Sequence, residues 1–433
     1  MLRWLPYYLR LHEVAGISLI AAIGQKRFIE SIPDTTAPLL LWLNGGPGCS
    51  SMDGLLTELG PFYVNLGGET LYENPSSWNT FANIMYLESP ACVGYSYNTE
   101  RKCKASDYST AEDNYLALKE FFTRFPNYRD SPFYVTGESY GGIYIPTLAV
   151  KIVENLDDYP LNLQGYAIGN GLNSYSMNDN SLVFFAKYHG LVGEILWDDL
   201  VTNCCTDGVP SQEACHFSNS ESSDCAENVN QVFTTVYNSG LNMYGLYADC
   251  IMDDERTFTR YDVDMMNLFR NSKLTRQSGS RGSERSNIPC LSTNDTTHYL
   301  NKAEVRKALH IPDSLFRWEV CSDIVAALFE RNYEEMSAEY WLLHDAGIRG
   351  LVYSGDTDMA CNFIGGEWFV DSLGFDVVSP YTKWMFGDQV AGFVKTFDLL
   401  DFVTLKGSGH MVPQDRPKES LYVIKAFIYK TPY

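Results

Sequence analysis

The stretch Phe133-Tyr134-Val135-Thr136-Gly137-Glu138-Ser139-Tyr140-Gly141 carries a strand-like run straight into the pattern G-x-S-x-G. This predicts a strand that breaks at a glycine, presents a serine on a sharp turn and restarts as a helix. The helix is legible from Ile143 onward, in Thr147-Leu148-Ala149-Val150-Lys151-Ile152-Val153. Glycines flank the serine because the turn is sharp and its backbone crowded. The pentapeptide alone is common, and an ordinary glycine-rich turn would share it. The strand before and the helix after are what single out Ser139 as a nucleophile.

A serine hydroxyl attacks well only when a base takes its proton. The chain has 7 histidines, and His410 is the best placed. It lies in Lys406-Gly407-Ser408-Gly409-His410-Met411-Val412-Pro413, a tight loop after the strand-like run Phe402-Val403-Thr404-Leu405. Loops at the carboxyl ends of strands are where α/β sheets build their sites. His189, His298, His310 and His344 fall in helix-like or polar stretches, and His12 and His216 in segments of uncertain structure. A third member should be a carboxylate that orients the imidazole. Gly350-Leu351-Val352-Tyr353-Ser354 reads as a strand, and Gly355-Asp356-Thr357-Asp358 follows it. On spacing alone either aspartate serves, and the other would brace the turn through its own backbone. Serine, aspartate and histidine in that order, each after a strand, is the α/β-hydrolase arrangement.

Acyl transfer also needs donors aimed at the developing oxyanion. In this fold one is the amide after the nucleophile, here Tyr140, and the second comes from a glycine-rich loop after an early strand. Leu39-Leu40-Leu41-Trp42-Leu43 followed by Asn44-Gly45-Gly46-Pro47-Gly48 has that form. Tyr108-Ser109-Thr110-Ala111-Glu112-Asp113 opens a helix with a capping residue and early acids, continued by Tyr115, Leu118 and Phe122 and stopped by Pro126. Gly165-Tyr166-Ala167-Ile168-Gly169 is a further strand. From about Tyr175 to Thr293 the alternation gives way to cysteine-rich, polar and helical pieces. The expected class is therefore α/β, an α/β-hydrolase fold with a mixed central sheet and an inserted cysteine-rich cap domain. Its first core part covers 1–174, the cap 175–293 and the second core part 294–433, with two strands resuming after the cap. A last helix starts near Asp415 with Pro417 in its first turn.

At 433 residues, 45% hydrophobic and 20% charged, the chain suits one large core with an insertion, not a disordered protein. No apolar run reaches the roughly 18 residues of a membrane span, so none is expected. A net charge of −22 argues against nucleic acid as a partner, and acid would relieve part of that self-repulsion. Of 11 cysteines, Cys204, Cys205, Cys215, Cys225, Cys250 and Cys290 crowd one region. No C-x-x-C pair occurs and His216 is a poor fourth ligand, so disulfides in an oxidising compartment are expected in place of zinc, with no metal and no cofactor. Asn294-Asp295-Thr296 is a glycosylation sequon and fits a secretory route.

Several stretches resemble the serine carboxypeptidase family. They are Trp42-Leu43-Asn44-Gly45-Gly46-Pro47-Gly48-Cys49-Ser50-Ser51, Glu88-Ser89-Pro90, Gly137-Glu138-Ser139-Tyr140, Gly355-Asp356-Thr357-Asp358 with Cys361-Asn362, and Gly409-His410-Met411-Val412-Pro413. The likeness runs from about Phe28 to Tyr433 and includes Asn74 to Asn79, Gly169-Asn170-Gly171-Leu172, Cys204-Cys205 and Gly366 to Ser372. It implies Asp358 as the triad aspartate, and Gly46 and Tyr140 as oxyanion donors. It also implies that Trp42, Asn44, Glu58 and Glu138 bind the substrate's free C-terminal carboxylate. Read alone, Glu58 is a solvated helix residue; only the resemblance moves it into the site. Two carboxyls held together cannot both ionise cheaply, so the pair would donate in acid and repel a carboxylate near neutrality. Met411 matches a position lining the leaving-residue pocket, where a thioether adapts to apolar shapes; a core methionine satisfies the same physics.

The resemblance pairs Cys49 with Cys321, Cys204 with Cys225, Cys205 with Cys215 and Cys250 with Cys290, and leaves Cys361 free. Cys92 stands where the family has glycine, which leaves that loop's shape and any bond to Cys103 open. Arg270 to Arg285 reads as an exposed basic loop of the kind proteases nick. The likeness implies its excision, near 270–286, from a zymogen. The first ~25 residues lack the family's opening strand and are left unassigned; Ala15 to Ile23 resembles a short signal core without a cleavage site. The implied function is an acid carboxypeptidase acting on peptides with a free C-terminus, lysosomal or secreted. The same triad would also serve an acyltransferase, esterase or deamidase. The likeness further extends to protective binding of lysosomal glycosidases and to a homodimer.

Overall fold

Leu39, Leu41 and Leu43 fall in one apolar cluster and Leu40 and Trp42 in another, because successive strand residues point to opposite faces. The strand they form is buried on both sides, and such strands read as continuous apolar runs. The computed structural model describes residues 7–10, 17–18, 20–24, 36–100, 102–251 and 290–433. One sheet contains β1 (Tyr7–Arg10), β2 (Ile20–Gly24), β3 (Leu39–Leu43), β4 (Asn83–Glu88), β5 (Phe133–Glu138), β6 (Leu163–Gly169), β7 (Arg349–Gly355), β8 (Val377–Phe386), β9 (Gln389–Phe397) and β10 (Leu400–Leu405). The order is β1-β2-β4-β3-β5-β6-β7-β10-β9-β8. Pairing is parallel from β4 through β10. It turns antiparallel at both edges, so the sheet is mixed.

Helices α1 (Asp107–Arg124) and α2 (Gly141–Glu154) cover one face. Ser106 and Ser109 cap α1 reciprocally, and Pro126 follows its end. Trp78, Trp318 and a C-terminal helix, Pro417–Tyr429, cover the other face. The chain leaves the sheet at Gly169 and returns at Arg349. Between them α3 (Tyr175–Tyr188), α4 (Glu194–Cys204) and α5 (Ser223–Asn238) build a separate cluster that reaches Met359, Ala360 and Met411.

Five disulfides are formed: Cys49–Cys321, Cys92–Cys103, Cys204–Cys225, Cys205–Cys215 and Cys250–Cys290. Cys361 is free and buried. Cys92 keeps the left-handed backbone of a glycine, with φ +76, and gains a covalent partner there. Among the described residues no cluster suits a metal ion, and no helix is long and apolar enough to cross a membrane.

Two readings of the sequence need correction. The unassigned start supplies β1 and β2, which pair antiparallel onto β4, and Ile17–Ser18 pairs with Tyr97–Asn98. The apolar run that resembles a signal core is in part β2, which lies between the edge strand β1 and β4. The second core part contributes four strands, not two. The hairpin of β8 and β9 was missed because β8 is exposed along most of its length and so carries no apolar pattern. The basic loop near 270–286 lies outside the described residues.

Glu88, at the end of β4, is 0% exposed. It accepts from Ser50 Oγ at 2.5 Å, Trp318 Nε1 at 2.8 Å and Tyr95 N at 2.8 Å. Burial nevertheless pushes its carboxyl from 4.5 up to about 7. A raised folded value means the contribution is complete below 4.5 and is lost as pH climbs through 7. The melting temperature should fall across that window, with Glu88 responsible for up to about 3 kcal/mol. Glu88→Gln should flatten the slope while lowering the acid plateau, since its amide would face the Tyr95 N–H. An unchanged slope in thermal melts would reject this account.

Candidate active site

Ser139 sits between β5 and α2 with φ +60, a left-handed value that side chains rarely adopt. The turn is held there by its neighbours. Ser139 N donates to Gly169 O at 3.1 Å, and Ser139 O accepts from Leu172 N at 2.9 Å. A Cβ on Gly137 would lie 2.4 Å from Leu43 O, and one on Gly142 would lie 2.6 Å from Leu172 N. Gly137 of the motif and Gly142 just after it are thus required by backbone approaching backbone, whereas a Cβ on Gly141 would find ordinary contacts.

His410 and Asp358 meet: His410 Nδ1 lies 2.7 Å from Asp358 Oδ2, and both side chains are buried. Asp358 Oδ2 also accepts from Asn170 Nδ2 at 2.9 Å and Cys361 N at 3.1 Å, and Oδ1 accepts from Ala360 N at 2.9 Å. Donors on both oxygens favour an anion that fixes the ring by its Nδ1. Ser139 and His410 line one cleft, together with Gly46, Asn44, Glu138 and Met411. Asp356 lies apart from this contact. Its carboxyl accepts from Gly407 N at 2.6 Å and from its own backbone N–H, so it braces the histidine loop as well as its own turn.

Several residues here were not singled out from sequence. Asn170 follows β6 with φ +38, between two glycines, and that placement was its one visible signal. Tyr244 O accepts from His410 N at 2.7 Å, and its ring lies 5.2 Å from the imidazole. Asp415 Oδ2 accepts from Gly409 N at 2.7 Å. Asp53 joins the cleft wall. Nothing local in the sequence marks Tyr244, because its partner His410 comes from a distant loop.

Gly46 has φ +111 and stands at the cleft beside the Ser139 turn. Among the described residues neither Gly46 N nor Tyr140 N donates to a protein acceptor. Two backbone donors therefore remain available next to the serine.

At the acidic side of the cleft, Asn44 uses its whole side-chain amide. Its Oδ1 accepts from Trp42 Nε1 at 2.7 Å and Gly54 N at 3.2 Å; its Nδ2 donates to Glu58 Oε1 and Glu138 Oε1, each at 2.9 Å. Glu58 is 0% exposed, so its reading as a solvated residue is overturned. Trp42 and Glu58 stand behind Asn44, while Asn44 and Glu138 reach the cleft. The Trp42 indole N–H is committed to Asn44 and is not a free donor in the cleft. Burial first, and then the neighbouring Glu58 charge, push the Glu138 carboxyl well up; burial and Asp53 push Glu58 the same way. Glu58 Oε2 is buried without a hydrogen-bond partner in the ionised arrangement. A proton shared with Glu138 satisfies it.

A Cβ on Gly45 would lie 2.3 Å from Tyr140 N and 2.8 Å from Ser139 Cβ. Gly45→Ala must therefore separate the two loops. Its melting temperature should fall, and labelling of the wild-type serine by a fluorophosphonate should slow by roughly tenfold or more, the scale of a lost oxyanion donor. Labelling at the wild-type rate would show that the loops tolerate the methyl group.

Comparison with known proteins gives a consistent result. Residues 27–430 match the profile described as serine carboxypeptidase. The chain is 46% identical over 424 residues to the lysosomal protective protein of Mus musculus, covering 94% of this chain and 87% of that one. It is 41% identical over 412 residues to a serine carboxypeptidase of Caenorhabditis elegans, covering 92% and 86%. Among solved structures it superimposes on a prohormone-processing carboxypeptidase of Saccharomyces cerevisiae with a TM-score of 0.74 at 22% identity, covering 98% and 92%. That last likeness speaks to the fold, whereas the profile and the two sequence relatives speak to descent. On these grounds the chain belongs to the serine carboxypeptidase family, a family of α/β-hydrolase enzymes.

Proposed function

We propose that this enzyme removes C-terminal residues from peptides in acid, using Ser139 as nucleophile, His410 as base and Asp358 as the group that orients it. Ser139 Oγ attacks the scissile carbonyl while its proton passes to His410 Nε2, and the oxyanion is received by Gly46 N and Tyr140 N. The leaving amine takes the proton from His410. Water, deprotonated by the same imidazole, then frees the acyl group.

The observation that carries this reading is the Asn44 amide bridging two buried carboxyls beside the cleft. In acid Glu138 and Glu58 hold at least one proton, and the pair can donate to an incoming carboxylate. Trp42 and Glu58 act through Asn44 and Glu138. As pH rises the pair becomes anionic and repels the chain end. An ester or amide without that carboxylate has no use for such a device, which favours peptidase over esterase action. Met411, 7% exposed at the cleft, provides a soft wall for an apolar leaving residue. The helices α3, α4 and α5 and the 243–246 segment serve as a cap over the site. The likeness to the lysosomal protective protein supports a lysosomal or secreted location and keeps glycosidase protection as a second role for the same molecule.

Two pH profiles test this. With a free C-terminus, KM should rise on the alkaline side while kcat holds. With the amidated peptide, which has no carboxylate for the pair to repel, activity should persist to higher pH. Glu138→Gln should weaken that contrast. Ser139→Ala should abolish both activities and keep any glycosidase binding. Parallel alkaline falls for the two substrates would defeat the carboxyl-pair reading.

A further inference from the structure

The amide that follows the nucleophile belongs to Tyr140, whose side chain runs away from the cleft. Tyr140 is 1% exposed, and its phenol donates to Asp107 Oδ1 at 2.9 Å. Asp107 is also 1% exposed, in the first turn of α1. Its other oxygen accepts from Asn332 N at 2.5 Å and Tyr333 N at 3.3 Å. Tyr144 and Phe329 pack edge-on against the Tyr140 ring at 5.1 and 5.7 Å, and the Arg331 guanidinium lies 5.8 Å from its centroid. The start of α1, the start of α2 and the 329–333 segment thus converge on one phenol.

Neither side chain lines the cleft, so neither touches a reacting atom. The backbone between them and the serine is nevertheless under tension, because Ser139 is held left-handed. A ring anchored at its far end cannot pivot about its Cα without breaking the phenol bond, and the direction of Tyr140 N–H turns with that Cα. An oxyanion donor is effective only when already aimed at the position the charge will occupy. We infer that Asp107 is a positioning residue: through the Tyr140 phenol it fixes the aim of the oxyanion-binding amide. This rests on the role of the Tyr140 amide proposed above. A purely structural tie between α1 and the turn would instead affect stability alone.

The test uses the full-length, active enzyme and its Tyr140→Phe, Asp107→Asn and double variants. Tyr140→Phe keeps the ring and its packing; Asp107→Asn keeps the shape, and with its one oxygen turned to the Asn332 and Tyr333 N–H groups it faces the phenol with an amide N–H in place of an acceptor. Two inhibitors separate the states: a peptide aldehyde, to which Ser139 Oγ adds to form a tetrahedral adduct, and the matching peptide alcohol, which forms none. Each single variant should lower kcat and weaken the aldehyde by roughly tenfold, a fraction of a whole lost donor. KM and alcohol binding should stay within about twofold, and the double variant should lose no more than either single one, as coupled residues do. Unchanged kcat and an unchanged aldehyde-to-alcohol ratio in the singles, whatever their melting temperatures, would overturn the inference. So would losses that multiply in the double variant. A wild-type enzyme that neither releases C-terminal residues nor binds the aldehyde would instead remove the functional reading beneath it.

Discussion

The close approach of two strand ends governs this molecule. β3 and β5 are parallel neighbours, and the loops beyond them are pressed together until only hydrogen fits at positions 45 and 137. That contact sets Ser139 in its left-handed turn and brings two amides beside it. It also delivers Asn44 and Glu138 from adjacent strands to one spot, since each stands at or just past its strand's end. The left-handed Ser139 turn and the Asn44–Glu138 contact are therefore products of a single register. A slip of one residue in either strand would reverse the faces and lose both.

Electrostatics then divides the labour. Asp358 is surrounded by donors, which fix its carboxyl in place beside His410. Glu58 and Glu138 have one amide between them and much less to hold negative charge. Burial and mutual repulsion push them toward the protonated form. Glu88 extends the pattern to the scaffold, since it too favours acid.

Much of this was legible in the sequence. The strand-glycine-serine signal at 133–141 marked the elbow, the post-strand loops marked His410 and an aspartate, and Tyr108 to Pro126 marked α1 within a residue or two. Local signals suffice where one segment makes the feature. They fail where partners come from far along the chain. Either Asp356 or Asp358 fitted by spacing, and what separates them is Asn170, 188 positions before Asp358. Glu58 reads as a surface residue until the Asn44 amide is seen to meet it. β8 escaped because an exposed edge strand has no face to bury, and β1 and β2 because short runs resemble other things.

The tie between the insertion and the core runs through backbone. Met243 O accepts from Met359 N and Ala360 N, Tyr244 O from His410 N, and Leu246 N donates to Thr357 O. Backbone from the inserted region is thereby stitched to both loops that supply the aspartate and the histidine. Swinging that region aside would tear the very loops whose alignment hydrolysis requires. The 243–246 segment and the two loops therefore keep or lose their alignment together, so a displacement of one is transmitted to the other.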